Sequence, residues 1–188
     1  MPSADKLSRE FYLRPTLEVA RDLLGKVLVY KNSSRITSAR LVEVEAYVGE
    51  DDPACHAAAG CTSRNEIMYA EGGRAYIYFI YGMYYCLNVV TERKGFPAAV
   101  LLRGAEPLDG ISYMKSNFPP NYRHRLADGP GKLCRAFKLT RRQNGLDLTG
   151  NSLFLEDRGY RPDKIVATPR VGIKKGTEKL WRFVDAAN

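Results

Sequence analysis

Histidine and cysteine are scarce in this chain, and both shortages narrow its chemistry. Of 188 residues only two are histidine, His56 and His124, and four are cysteine. Cys55, Cys61, Cys86 and Cys134 are irregularly spaced, with no Cys-x-x-Cys pair. A tetrahedral zinc site therefore lacks ligands. Without a His-x-Glu and a following Cys-x-x-Cys, a zinc-dependent base deaminase is excluded, and no metal is expected. A chain of this length buries a full core without cross-links, so the thiols are expected to stay reduced, as in the cytoplasm. No apolar run approaches the roughly 18 residues of a membrane span, and Met1–Glu10 holds no signal-peptide core, so no extension for targeting or partner binding is expected. Internal repeats, low-complexity tracts and long linkers are absent as well. That leaves one domain over residues 1–188, with 1–10 expected as a flexible end. Acidic charge is in deficit, 21 Asp and Glu against 29 Lys and Arg, for a net charge of +8. An excess of this sign favours a polyanionic partner, since each basic group set on a phosphate releases a counterion.

What is present begins with Arg40-Leu-Val-Glu-Val-Glu-Ala-Tyr-Val-Gly49. Alternation along a strand sends Val42, Val44, Ala46 and Val48 one way and Leu41, Glu43, Glu45 and Tyr47 the other. The valine face belongs against a core. Two carboxylates and a phenol on the opposite face suit a site wall, the plainer alternative being a half-exposed strand with a wet polar face. Upstream, Thr16–Leu24 reads as a helix with Leu17, Ala20, Leu23 and Leu24 on one side and Gly25 ending it. Lys26–Lys31 reads as a strand, and the turn Asn32-Ser33-Ser34 leads into the long strand Arg35–Val48. Gly49–Arg64 is a polar connection holding His56, long enough for a functional loop.

The stretch Ala75–Val90 carries five tyrosines and is strongly β-prone, but Gly82 interrupts it. It reads as two strands meeting near Tyr81-Gly82, with Tyr81 at a tight tip. Pro97–Arg103, Ser152–Glu156 and Val166–Val171 read as further strands. Asp128–Arg135 reads as a glycine-rich loop opening a helix, suited to a backbone contact with phosphate but without P-loop spacing. These residues fit one chemistry well. An enzyme acting on a base inside duplex DNA must flip it from the stack, wall it with aromatics and fill the gap. Base–aromatic stacking is worth roughly 1–3 kcal/mol per base. Hydrolysis of an N-glycosidic bond passes through an oxocarbenium-like state that one carboxylate can stabilise while activating water. Glu45, beside Tyr47, suits that role. Glu43 is the rival on the same face, within about 7 Å along the strand, so each charge should raise the other's pKa.

Taken in order, several motifs resemble the alkyladenine (3-methyladenine, or methylpurine) DNA glycosylase family, from about Phe11 to Val184. They are Val42–Tyr47, Asp52, His56, Tyr76-Ile77-Tyr78, Ile80–Tyr84, Asn88, Leu101–Arg103, Glu106–Leu108 and Gly129–Leu133. The resemblance implies a mixed α/β (α+β) single domain around a curved antiparallel β-sheet, with surrounding helices and a protruding β-hairpin. It implies that Glu45 is the general base and that Arg103 stands beside the attacking water. It puts Tyr47 and His56 on one side of the flipped base and Tyr78 on the other, with His56 reading the purine's six-position edge. Asn88 would crowd the two-amino group of guanine, and Tyr81 would enter the minor groove and fill the vacated space. No cofactor is implied. The implied partner is double-stranded DNA with damaged purines, met by a monomer without a membrane, in the cytoplasm and on the nucleoid if the source is bacterial. Two departures stand out: Cys55 precedes His56 in place of a serine, and Gly72-Gly73 lacks the proline of a Pro-Gly turn. The expected activity is monofunctional excision of alkylated or deaminated purines at the start of base excision repair. The alternatives are a bifunctional glycosylase/lyase using a lysine, and a basic nucleic-acid binding module without chemistry.

Overall fold

The computed structural model describes residues 5–33 and 35–187. The described residues form nine strands, most of them in β-branched and aromatic runs: β1 (Asp5–Lys6), β2 (Val27–Asn32), β3 (Arg35–Val48), β4 (Ala75–Ile80), β5 (Tyr84–Val90), β6 (Ala98–Asp109), β7 (Leu153–Asp157), β8 (Ile165–Thr168) and β9 (Arg182–Asp185). They form a single sheet in the order β1-β7-β2-β3-β6-β5-β4, with β9 joining both β3 and β8. The described pairings are antiparallel. The helices are α1 (Arg9–Tyr12), α2 (Thr16–Leu23), α3 (Ile111–Ser116) and α4 (Pro130–Phe137). This is the expected mixed α/β domain on an antiparallel sheet. No helix among the described residues is long and apolar enough to cross a membrane.

The core lies where α2 and α4 cover one face of the sheet. Val19, Ala20 and Leu23 of α2 and Leu133, Cys134 and Phe137 of α4 meet Val44, Ala46, Leu87, Val89, Val100 and Leu102 of the strands. Each fully buried aliphatic side chain contributes roughly 1.5–3 kcal/mol, so this apolar layer dominates the stability of the sheet. Gly25 ends α2 at φ +85°, where a Cβ would meet the Tyr160 ring at 2.9 Å.

The strand β3 has the expected bounds, but its alternation changes phase. Pairing with β6 jumps from Leu41↔Ala105 to Glu43↔Gly104 and then to Val44↔Leu102. Val42 and Arg103 are therefore each left unpaired in a double irregularity. The consequence is that Leu41, expected beside the carboxylates, lies in the core with Val44 and Ala46, and Val42 is not part of that core. Strand β6 runs on to Asp109, six residues beyond its expected end. Pro107 does not stop it because it sits at a second register shift, between Ser38 and Ala39 on β3. Strand β8 stops at Thr168, short of the expected Val171. Pro169 cannot donate to a ladder, so the chain leaves the sheet there. The helix α3 and the strand β9 have no counterpart in the sequence reading. Of the first ten residues, 1–4 lie outside the described residues, Asp5–Lys6 pair with β7, and Arg9 begins α1. Ser34, part of the turn expected between β2 and β3, also lies outside them.

Strands β4 and β5 form the expected hairpin, in register from Ala75↔Val89 to Ile80↔Tyr84. At its tip Tyr81 takes φ +54° and Gly82 φ +67°, and the Met83 N–H donates to the Ile80 carbonyl at 3.3 Å. Positive φ at both central residues marks a mirror-image turn, which suits strand twist but disfavours tyrosine. Tyr81 is 77% exposed and Met83 64%. Large apolar side chains held out in water by a strained tip call for a partner.

Candidate active site

A cavity of about 680 Å³ opens between this hairpin, the polar face of β3 and β6, the N-terminus of α4 and residues 171–175. All seven residues singled out from the sequence line it: Glu45, Tyr47, His56, Tyr78, Tyr81, Asn88 and Arg103. Strand alternation explains the convergence, since β6 sends Val100 and Leu102 into the core and Leu101 and Arg103 into the cavity.

Glu45 is fully buried at the cavity wall. Its Oε1 accepts the Val171 N–H at 2.7 Å, and its Oε2 accepts the Tyr47 hydroxyl at 2.8 Å. Burial raises the carboxyl above the ordinary range, opposed by the Arg103 charge and these two hydrogen bonds, with Glu43 adding to the rise. Glu43 is held differently. Burial would raise it too, but hydrogen bonds and charge from Arg103 and Arg182 reverse the sign and hold it below the usual range. The two carboxylates are thus pushed apart, and the one facing the cavity is the stronger base.

The aromatic walls depart from the expected layout. His56 was placed with Tyr47, across the base from Tyr78. Instead the His56 and Tyr78 rings meet edge-on with centres 4.5 Å apart. They are already in direct contact, so no third ring fits between them. Cys55 opens the 3-10 turn His56–Ala59 that carries the histidine. Nδ1 of His56 shares a 2.8 Å hydrogen bond with the Tyr76 hydroxyl, and the Asn65 amide donates to the His56 carbonyl at 2.8 Å. Burial, then the Arg64 charge, lower the imidazole pKa. The ring is therefore neutral at neutral pH. Asn88 is buried within β5, and its amide nitrogen donates to the Tyr76 carbonyl at 3.0 Å.

Arg170 and Asn65 escaped the sequence reading, and Asp52 entered it only as one residue of an ordered motif. Arg170 and Asp52 form a pair with both side chains fully buried, closed by two hydrogen bonds of 2.5 and 2.8 Å. Arg170 also donates to the Ala46 carbonyl at 2.9 Å and lies over the Tyr47 ring at 4.7 Å. This clamp fixes the backbone of the next residue, Val171, whose N–H holds Glu45. Asn65 braces the His56 loop. The only local signal for any of these was Pro169, which ends β8 and lets Arg170 turn inward. At the cavity rim, α4 begins at Pro130 with no side-chain cap. A Cβ at Gly131 would lie 2.7 Å from the Tyr84 ring, so only glycine lets the helix abut the hairpin. Lys132, Lys174 and Lys175 complete the rim. Among the described residues no group of three His, Cys, Asp or Glu side chains could hold a metal ion.

A buried carboxylate of raised proton affinity, set in the wall of an aromatic-lined cavity, defines an enzyme site rather than a passive strand-binding groove. The chain belongs to the methylpurine-DNA glycosylase family, whose sequence model matches residues 10–188. Similar proteins carry the name "Putative 3-methyladenine DNA glycosylase". One from Methanocella arvoryzae is 52% identical over 184 residues, covering 95% of this chain and 92% of its own. One from the Wolbachia of Brugia malayi is 51% identical, covering 94% and 95%, and one from Chlorobaculum parvum 45%, covering 97% and 88%.

Proposed function

We propose that this protein is a monofunctional DNA glycosylase that flips alkylated or deaminated purines out of double-stranded DNA and hydrolyses the N-glycosidic bond, beginning base excision repair. The observation that carries this reading is the state of Glu45: fully buried, held through both oxygens, and raised in proton affinity while its neighbour Glu43 is kept ionised by two arginines. In the reaction Glu45 takes a proton from water, the water oxygen bonds to C1′, and the C1′–N bond breaks with its electron pair leaving on the purine. Arg103, whose Nε lies 3.4 Å from Glu45 Oε1, stands beside that water. Cationic lesions such as 3-methyladenine and 7-methylguanine leave without further help. Neutral hypoxanthine and ethenoadenine need a hydrogen bond or proton. Tyr47 covers one face of the base, and His56 with Tyr78 covers the other. Asn88, immobilised on the Tyr76 carbonyl, crowds a two-amino group. The open N-terminus of α4, Lys132, Lys174 and Lys175 hold backbone phosphates. The protein acts as a monomer, in the cytoplasm.

Duplexes carrying 3-methyladenine, 7-methylguanine, hypoxanthine or ethenoadenine test the reading. Free base and alkali-labile abasic sites should appear, and borohydride should trap no protein–DNA adduct. A trapped adduct would assign a lysine lyase mechanism instead. Absence of abasic sites from every lesion would leave only a binding module.

Tyr81 is the proposed wedge, and Tyr81→Ala should cut the flipped fraction about tenfold. That corresponds to about 1.4 kcal/mol, within the roughly 1–3 kcal/mol of one aromatic–base stack. The defect should shrink for a lesion opposite a mismatch, where unstacking costs less. Stopped-flow fluorescence of ethenoadenine reports the amplitude directly. An unchanged amplitude would place the wedge elsewhere on the tip.

A further inference from the structure

Glu43 shares a strand with Glu45 but faces different neighbours. Its Oε1 accepts from Arg103 Nε at 2.7 Å and from Arg182 Nε at 2.6 Å. The same Arg103 Nε is 3.4 Å from Glu45 Oε1, too long and divided to count as a full hydrogen bond. One N–H thus lies within reach of two carboxylates and is committed to Glu43. The double irregularity between β3 and β6 leaves Arg103 without a strand partner, beside Glu43. Strand β9 supplies the second hold, because Arg182 pairs with Glu45 in register while its side chain goes to Glu43. The Arg182 Nη1 is in turn fixed on the Thr168 hydroxyl at 3.1 Å.

The charged and titratable groups facing Glu45 are Tyr47 and Glu43 from β3, Arg103 from β6, Cys86 from β5 and Arg170 from the segment after β8. Of these, Arg103 already pairs with Glu45 at 3.4 Å and is the cation that could close further, into a full hydrogen bond. Closure would stabilise the carboxylate and make it a weaker acceptor of the water proton.

We propose that Glu43 is a positioning residue: with Arg182 it holds Arg103 back from a full hydrogen bond to Glu45, so that Glu45 keeps its strength as a base and Arg103 keeps its place beside the water. The proposal rests on the glycosylase reading above. In Glu43→Gln both effects act in one direction. A negative charge that raises Glu45 is gone, and Arg103 is released toward it.

The test is single-turnover excision of 7-methylguanine from duplex DNA against pH. The leaving group is already cationic, so the acidic limb reports the base alone. In Glu43→Gln the midpoint of that limb should fall by about one pH unit. The plateau should fall on the order of tenfold, well short of the roughly 10²–10⁴-fold expected for removing the base itself. Glu43→Asp, which keeps the charge, should return the midpoint toward wild type. Should Glu43→Gln not fold, Glu43→Gln/Arg182→Gln removes the unpaired arginine as well and must show the same downward shift. A slower folded variant whose limb does not move, or moves up, overturns the proposal and leaves Glu43 a structural ion-pair partner. Wild type and Glu45→Gln run alongside separate the two failures: no excision by wild type would end the glycosylase reading, whereas an active wild type with an unmoved limb ends only this inference.

Discussion

Glu45→Gln should lower single-turnover excision by about 10²–10⁴-fold or more while the protein still folds and binds lesion duplex. Glutamine keeps an oxygen for the Val171 N–H, which now lies 2.7 Å from Glu45 Oε1, but it cannot take a proton from water. Stability should move the other way. Burial raises the carboxyl, so the stability that this group contributes is full below its unfolded pKa and lost as pH rises through the folded one. At neutral pH the folded protein therefore carries a cost for ionising Glu45, and the variant should melt at the same temperature or higher. In wild type, the rate should climb with a midpoint above the ordinary glutamate value of about 4.3. Excision and thermal melts of the two proteins check both halves. Near-normal excision by the variant would take the base role from Glu45. Glu43 would be a poor heir, being held below the usual range by two arginines once they overcome its burial.

The largest effect on stability is expected from Asp52→Asn, a loss of about 3–5 kcal/mol at neutral pH. A typical point mutation costs about 1 kcal/mol. The difference arises because Arg170 is fully buried and would lose its counter-charge while still confined between the Tyr47 and Trp181 rings. Burial pushes Asp52 up, but hydrogen bonds and charge from Arg170 outweigh it and hold the carboxyl below its ordinary value. The sign of the pH effect follows. The stabilisation is present above the unfolded pKa, about 3.9, and is lost as pH falls through the lower folded one. Denaturant midpoints taken at neutral pH and in acid should therefore differ most between wild type and variant at neutral pH and converge in acid. A loss under about 1 kcal/mol would show that Arg170 reaches water or another acceptor. Excision should fall as well, since Arg170 precedes the residue whose N–H holds Glu45.

Much of this arrangement follows from local pattern. The bounds of β3, the helix α2 and the β4–β5 hairpin all rest on signals a few residues long: alternation, a helical apolar face with glycine behind it, and a glycine interrupting a tyrosine-rich run. Features set by register were harder to read. Nothing in Arg40–Gly49 announces the irregularity at Val42, because it depends on which residue of β6 stands opposite. Leu41 was therefore assigned to the wrong face. Gly104 and Pro107 look like the end of a strand, yet β6 continues through both, since long-range pairing outweighs weak local preference. The orientation of His56 is of the same kind. Its contact with Tyr78 comes from the packing of a loop on a hairpin, and motif order says nothing about which wall a ring joins.

The sequence by itself determined the sheet-forming segments other than β1 and β9, the exposed aromatic tip, and the set of seven side chains that meet in the cavity, because strand periodicity and ordered motifs travel with the chain. The tertiary structure alone decided how the two carboxylates differ. Glu43 and Glu45 are equivalent by spacing. They separate only when β6 and β9 bring Arg103 and Arg182 to one, and when Arg170, 118 residues from Asp52, brings the Val171 N–H to the other. Proton affinity depends on burial and on charges within a few ångströms in space, and these distances exist only once the chain has folded.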